Sequence, residues 1–294
     1  MIYLLLFIQQ LISSSTHLVA DDLSEHLHPI HVVLVRGMFT CAVFSLWFVG
    51  GAIFKQGWWK PVQRRDLILI ALLGLLNIAV NQVLFIWGVK YTTPPNASLA
   101  YALTPVFVVV LSRIVDRRPL STKKQLGVAA ALLGAGIVLA ERGITLQPEK
   151  MLGNIMVLCA SGSWAVYTFY SSKLIERYGT VQAIALTFYS GMLLYLPLWL
   201  SIPVSDSLAV LLHPGAGTIW MQLFYLGVVT SAIGYGLWYL ALTKLPSVNV
   251  AVFNNMQPVL TSVLAIIILG AMPSTPFVIG GMIAVAGVVI TQKS

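Results

Sequence analysis

The chain has 294 residues, 58% hydrophobic and only 9% charged, whereas about a quarter of an ordinary soluble domain is charged; a soluble fold is excluded. The formal net charge of +8 does not mark a nucleic-acid binder, because the basic residues sit in short connectors between apolar runs and build no basic, aromatic-interleaved face. Cys41 and Cys159 are the only cysteines; both lie in apolar runs, with neither a disulfide framework nor a CxxC pair.

A bilayer core needs about 20 helical residues to cross. Ten runs meet that length, near 2–20, 30–53, 67–88, 94–115, 124–141, 152–173, 180–203, 218–241, 247–270 and 275–292. The first lacks a basic leader and a small-x-small cleavage site, so it reads as a retained span. Prolines and glycines punctuate the joints, among them Pro29, Pro94-Pro95, Pro119, Pro148, Pro203, Pro246 and Pro273. No connector is long enough to fold by itself. The expected class is an all-α membrane protein.

Thirteen of the 17 Lys and Arg residues fall on one side of these spans. They include Lys55, Lys60, Arg64 and Arg65 after span two, and Arg113, Arg117, Arg118, Lys123 and Lys124 around the turn after span four. The positive-inside rule then places both termini in the cytoplasm, with the acidic connector at Asp21, Asp22 and Glu25 outside.

The stretch beginning PPNASLAYALTPVFVVV at Pro94 is written twice. At one fixed offset of 153, Asn96 falls on Asn249, Pro105 on Pro258, Ser121 on Ser274, Gly127 on Gly280 and Gly134 on Gly287. Matching punctuation at one offset signals a duplication, with halves 1–146 and 147–294. Each half holds five spans, an odd number, so the second crosses the membrane upside down. The charges agree: the turn near 113–124 carries five basic residues and its counterpart near 266–277 carries none. Inverted repeats are the common architecture of secondary transporters, with substrate near the midplane.

With Asn96-Ala-Ser, Thr104-Pro105-Val106-Phe107, Gly127 to Gly134, and again Pro258, Gly280 and Gly287, the chain resembles the drug/metabolite transporter superfamily of EamA type. Arg36-Gly37 and Ser163-Trp164-Ala165 followed by Lys173 fit the same pattern. The resemblance implies a ten-helix exporter of small metabolites, with a cavity lined by helices one, three and four of each repeat. The chain departs from the family at the turns between fourth and fifth helices, where Arg117-Arg118 and Gly270-Ala271 stand in place of Gly-Glu.

A polar side chain inside a bilayer needs a partner or a purpose. Asn77, Asn81, Tyr101, Thr104, Asn254, Asn255 and Gln257 are candidate substrate ligands, against the alternative of helix-to-helix bonds. Asn254 falls at the position of Tyr101, and Gln257 at that of Thr104. Trp164, Tyr167 and Trp238 are candidates for an aromatic wall, against an interfacial belt. Pro105 and Pro258 remove helix bonds at matched depths and are candidate hinges; Gly127, Gly134, Gly280 and Gly287 read as close-contact positions.

All nine Asp and Glu residues fall in connectors or near span ends. His17 is the one group clearly inside a span that can titrate near neutrality. One turn from Asp21, it reads as an interfacial histidine, with a proton relay as the alternative. Arg36 and Lys173 read as span-end charges. The expectation is a cytoplasmic-membrane carrier exporting a small metabolite such as an amino acid, as monomer or homodimer, without cofactor or metal. A phosphorylated-sugar exchanger would need basic residues in the cavity. A lipid-modifying enzyme would need more than Ser13, Ser14 and Ser15 beside His17, which make no triad without a buried acid.

Overall fold

The computed structural model describes all residues except 55–58, 93, 116, 118–120, 142–147, 203–207, 270–274 and 294. The expected boundary at 146/147, the ends of both repeated turns, and the Pro119, Pro203 and Pro273 joints fall outside those described residues.

Ten helical spans follow one another among the described residues. They are α1 (Ile2–His26), α2 (Pro29–Phe54), α3 (Arg64–Tyr91), α4 (94–115), α5 (Thr122–Glu141), α6 (Pro148–Tyr178), α7 (Thr180–Ser201), α8 (Gly217–Leu242), α9 (247–269) and α10 (Thr275–Gln292). Helices dominate because apolar solvent leaves the backbone only itself to bond. Pro29, Pro94 and Pro148 each begin a helix, where the missing N–H costs nothing. Gly179 turns α6 into α7 at φ +80, a conformation that side chains resist.

The solvent pattern is reversed from that of a soluble protein. Leu46, Ile68, Leu200 and Ile267 point outward, each more than two-thirds exposed, while Gln10, Ser14, Asn77, Thr104, Asn255 and Ser161 are fully covered. An apolar exterior around an interior that also holds polar side chains suits lipid.

The two halves are joined by contacts that come in reciprocal pairs. Helix α5 crosses α10 antiparallel: Gly127 lies on Gly287 and Gly134 on Gly280. A Cβ at Gly127 would sit 2.9 Å from the Gly287 carbonyl, and one at Gly287 would sit 2.6 Å from that of Gly127. Under the offset of 153 the contact between 127 and 287 becomes that between 280 and 134, so the crossing maps onto itself. Likewise α3 packs on α7 through Gly74 and Gly191, and α8 packs on α2 through Gly227 against Arg36 and Phe39. Equivalent helices running antiparallel through one self-matching contact are what two inverted five-helix repeats require.

Both copies also bend their helices in the same places. α3 and α8 open into π-helix over Leu76–Gln82 and Tyr225–Ile233. α4 breaks at Leu103, between Pro94–Ala102 and Thr104–Val115, and α9 tightens into 3-10 helix over Val252–Met256. Each break directly precedes Thr104-Pro105 or Gln257-Pro258, where proline cannot donate to the carbonyl four residues back. Π-helical stretches are not predicted by apolar periodicity and often mark working regions.

Candidate functional site

A cavity of about 70 Å³ lies at the centre, between the halves. Its walls come from α1, α3 and α4 and from α6, α8 and α9, as the resemblance implies, with Arg36 added from α2. Of the residues singled out in the sequence, His17, Asn81, Tyr101, Trp164, Asn254 and Gln257 line it, and Gln9, Ser13, Thr16, Gln82, Phe85, Thr230 and Tyr235 complete it.

One polar chain crosses from α1 to α9. Gln9 donates to Ser13 at 2.8 Å and accepts from Gln10 at 2.7 Å. Gln10 and Gln257 both donate to Asn254 Oδ1, at 3.1 and 3.2 Å. Gln257 Oε1 then accepts from His17 Nε2 at 3.0 Å. Since an amide oxygen only accepts, the neutral ring carries its hydrogen on Nε2 and leaves a lone pair on Nδ1. That Nδ1, and the Asn254 amide nitrogen, have no partner among the described residues. Two rings enclose the imidazole edge-on, Phe85 at 5.3 Å and Tyr101 at 5.8 Å.

This placement corrects the expectation for His17. It is 2% exposed and belongs to the cavity, because α1 continues to His26 and carries Asp21 further along the axis. His28 lies between α1 and α2, where burial foremost, then Lys90 and His31, holds its imidazole below the ordinary value.

Opposite α1 and α9, Asn81 donates from Nδ2 to the Tyr101 hydroxyl and to the Ala160 carbonyl, each at 2.8 Å. Trp164 stacks on Tyr167 with centroids 5.4 Å apart and meets Tyr235 edge-on at 5.0 Å. A Trp near mid-span against two tyrosines is a wall rather than an interfacial belt.

The remaining candidates stand behind this surface. Asn77 accepts from the Tyr235 hydroxyl at 2.7 Å, and Thr104 bonds Ser161 at 3.0 Å. Tyr167 bonds Thr187 at 2.9 Å, and Trp238 donates to Thr168 at 3.2 Å. Asn255 is fully buried, outside the cavity lining, with neither amide atom partnered among the described residues.

Arg36 also departs from expectation. It is not a span-end charge but is 5% exposed in the cavity wall, while Lys173 is exposed and lies over the Tyr170 ring at 5.0 Å. The signal was legible: Arg36 stands seven residues into an otherwise uncharged apolar helix, about 10 Å deep at 1.5 Å per residue. Asp66, read as a connector acid, is 2% exposed where α3 begins; it pairs with Arg177 and accepts from the Tyr178 hydroxyl at 2.6 Å. Ser13 and Ser15 are engaged with Gln9 and with Tyr225 (2.6 Å), not with His17.

The profile of a family described as the EamA-like transporter family matches residues 1–140 and again 151–292. Among curated proteins, an uncharacterised transporter of Archaeoglobus fulgidus is 25% identical over 290 residues, covering 98% of this chain and 96% of that one. A protein of Streptantibioticus cattleyicolor named "Probable terminal-alkyne amino-acid exporter" is 28% identical, covering 78% and 74%. One of Salmonella typhimurium named "Probable amino-acid metabolite efflux pump" is 28% identical, covering 78% of each. A solved crystal structure shares the fold with a TM-score of 0.75 at 19% identity, over 99% of this chain and 97% of that chain.

Proposed function

The chain belongs to the EamA-like transporter family, and on that premise we propose that it exports a small amino-acid-type metabolite across the cytoplasmic membrane by alternating access. The observation that carries the reading is the cavity itself: it lies between inverted halves and is walled by amides, hydroxyls, aromatic rings, His17 and Arg36, with no Asp or Glu in its lining among the described residues. Two of the relatives described above are named as an amino-acid exporter and an amino-acid metabolite efflux pump.

In this reading Asn81, Tyr101, Trp164, Asn254 and Gln257 meet the substrate. Asn77, Thr104, Tyr167, Trp238 and Asn255 hold the walls from behind. Pro105 and Pro258, at matched depths in α4 of half 1–146 and α9 of half 147–294, act as the hinges that open one face and close the other, and both termini face the cytoplasm. With no Asp or Glu among the described residues that line the cavity, transport is facilitated or exchange-driven, or coupled through His17, whose Nδ1 lone pair meets no donor among those residues. The cavity is complete within one chain, so no second copy is needed. A phosphorylated-sugar exchanger is less well supported, because Lys173 is exposed and leaves one cation for a dianion.

The test is counterflow in liposomes holding the purified protein, with labelled amino acids and, in parallel, sugar phosphates. Saturable exchange of amino acids above protein-free vesicles is expected. Exchange of sugar phosphates alone would overturn the reading.

A further inference from the structure

Arg36 is a charge in an apolar helix, 5% exposed. A guanidinium at that depth is costly unless an opposite charge and hydrogen bonds compensate it. Its bonds go to two hydroxyls: Nε donates to Ser231 Oγ at 2.7 Å and Nη2 to Thr230 Oγ1 at 3.3 Å. Both hydroxyls donate their own hydrogens to the Leu226 carbonyl, at 2.9 and 2.7 Å, which turns their lone pairs toward the arginine. They orient the guanidinium without neutralising it. Among the described residues the one ion pair is Arg177 with Asp66, and no acid borders the cavity that Arg36 lines.

A guanidinium has five N–H donors in a planar fork. Two are used by α8, and the side chain otherwise faces the cavity. A planar fork matches a carboxylate through two parallel bonds. We propose that the counter-ion of Arg36 is the substrate, and that this arginine seats the substrate's carboxylate. The cavity's other walls define the rest of the ligand. Trp164 and Tyr235, edge-on at 5.0 Å, offer an apolar and cation-tolerant surface, and Gln257 Oε1, which takes one bond from His17, and the His17 Nδ1 lone pair offer acceptors. The ligand class is a monocarboxylate with a neutral or aminated apolar body, such as an α-amino acid; a bare amine or an amide lacks the anchoring group.

This inference rests on the transporter reading, and its test separates the two. Wild type, Arg36→Gln and Arg36→Lys are reconstituted and measured for exchange of leucine and phenylalanine and for inhibition by the corresponding amides. Melting temperatures are measured with and without ligand. Wild type should prefer acid over amide at least about tenfold. Arg36→Gln should lose about tenfold or more in affinity for the acids and no longer distinguish acid from amide, with Arg36→Lys between. Ligand-free Arg36→Gln should melt at or above wild type, because an uncompensated charge has been removed, and should lose its ligand-induced shift. If Arg36→Gln keeps the acid preference, or melts well below wild type, Arg36 is structural and the inference fails while the transporter reading stands. If wild type exchanges no amino acid, the transporter reading fails and takes the inference with it.

Discussion

The two halves share a skeleton and differ in what they show the cavity. Where the first half turns Arg36 inward, the second has Thr187 at the matching contact: the Arg36 carbonyl faces Gly227, and the Thr187 carbonyl faces Gly74. Thr187 is fully buried and held by Tyr167 at 2.9 Å. The first half also supplies His17, Asn81 and Gln82; the second supplies Trp164, Tyr235, Asn254 and Gln257. Glycine crossings, prolines and π-helical stretches recur in both. Features that let the halves fit each other stayed paired, while the side chains lining the cavity diverged.

The strongest test of the shared skeleton is overpacking at the α5–α10 crossing. Gly134→Val puts a Cβ 2.8 Å from Ala284 Cα, and Gly287→Val puts one 2.8 Å from Ala131 Cα. Each should cost about 3 kcal/mol, read as similar drops in melting temperature in detergent. A large cost at one and none at the other would break the equivalence of the halves.

The diverged surface is probed at matched positions. Asn254→Ala removes the acceptor shared by Gln10 and Gln257 and should weaken substrate binding by about 2 kcal/mol, whereas Tyr101→Phe loses only the bond from Asn81 and should cost about 1 kcal/mol. Asn255→Ala, behind the wall, should change thermal stability and leave binding per folded molecule unchanged. Titration calorimetry beside melting curves separates these outcomes.

The smallest effect on stability is expected at His17. His17→Gln should shift stability by about 1 kcal/mol and, if His17 is the relay, flatten the pH dependence of exchange. His28→Gln, outside the cavity, should keep the wild-type profile. An unchanged profile in His17→Gln would remove it as a relay.

Much of the skeleton was legible because it is written in residues with few alternatives. A proline, or two glycines seven apart, at one fixed offset leave little freedom, and ten apolar runs allow little but helices. The π-helical stretches were not legible, because a change of helix type leaves apolar composition untouched. The cavity was partly legible: Asn81, Tyr101 and Asn254 are polar residues at mid-span depth. Asn77 and Asn255 have the same chemistry but are turned to other neighbours, which spacing alone does not reveal. His17 was misjudged because the helix runs on past Asp21, and Arg36 because a position about two turns into α2 was counted as a span end.

The self-matching crossing of α5 on α10 has a mechanical consequence. Ala131 and Ala284 are equivalent under the offset of 153, and each lies beneath a glycine of the opposing helix. If the halves trade shapes when the cavity changes the side it opens to, an interface between non-equivalent helices is exchanged for its counterpart, whereas the α5–α10 crossing is exchanged for itself. Its tightness would then need no loosening between the two shapes.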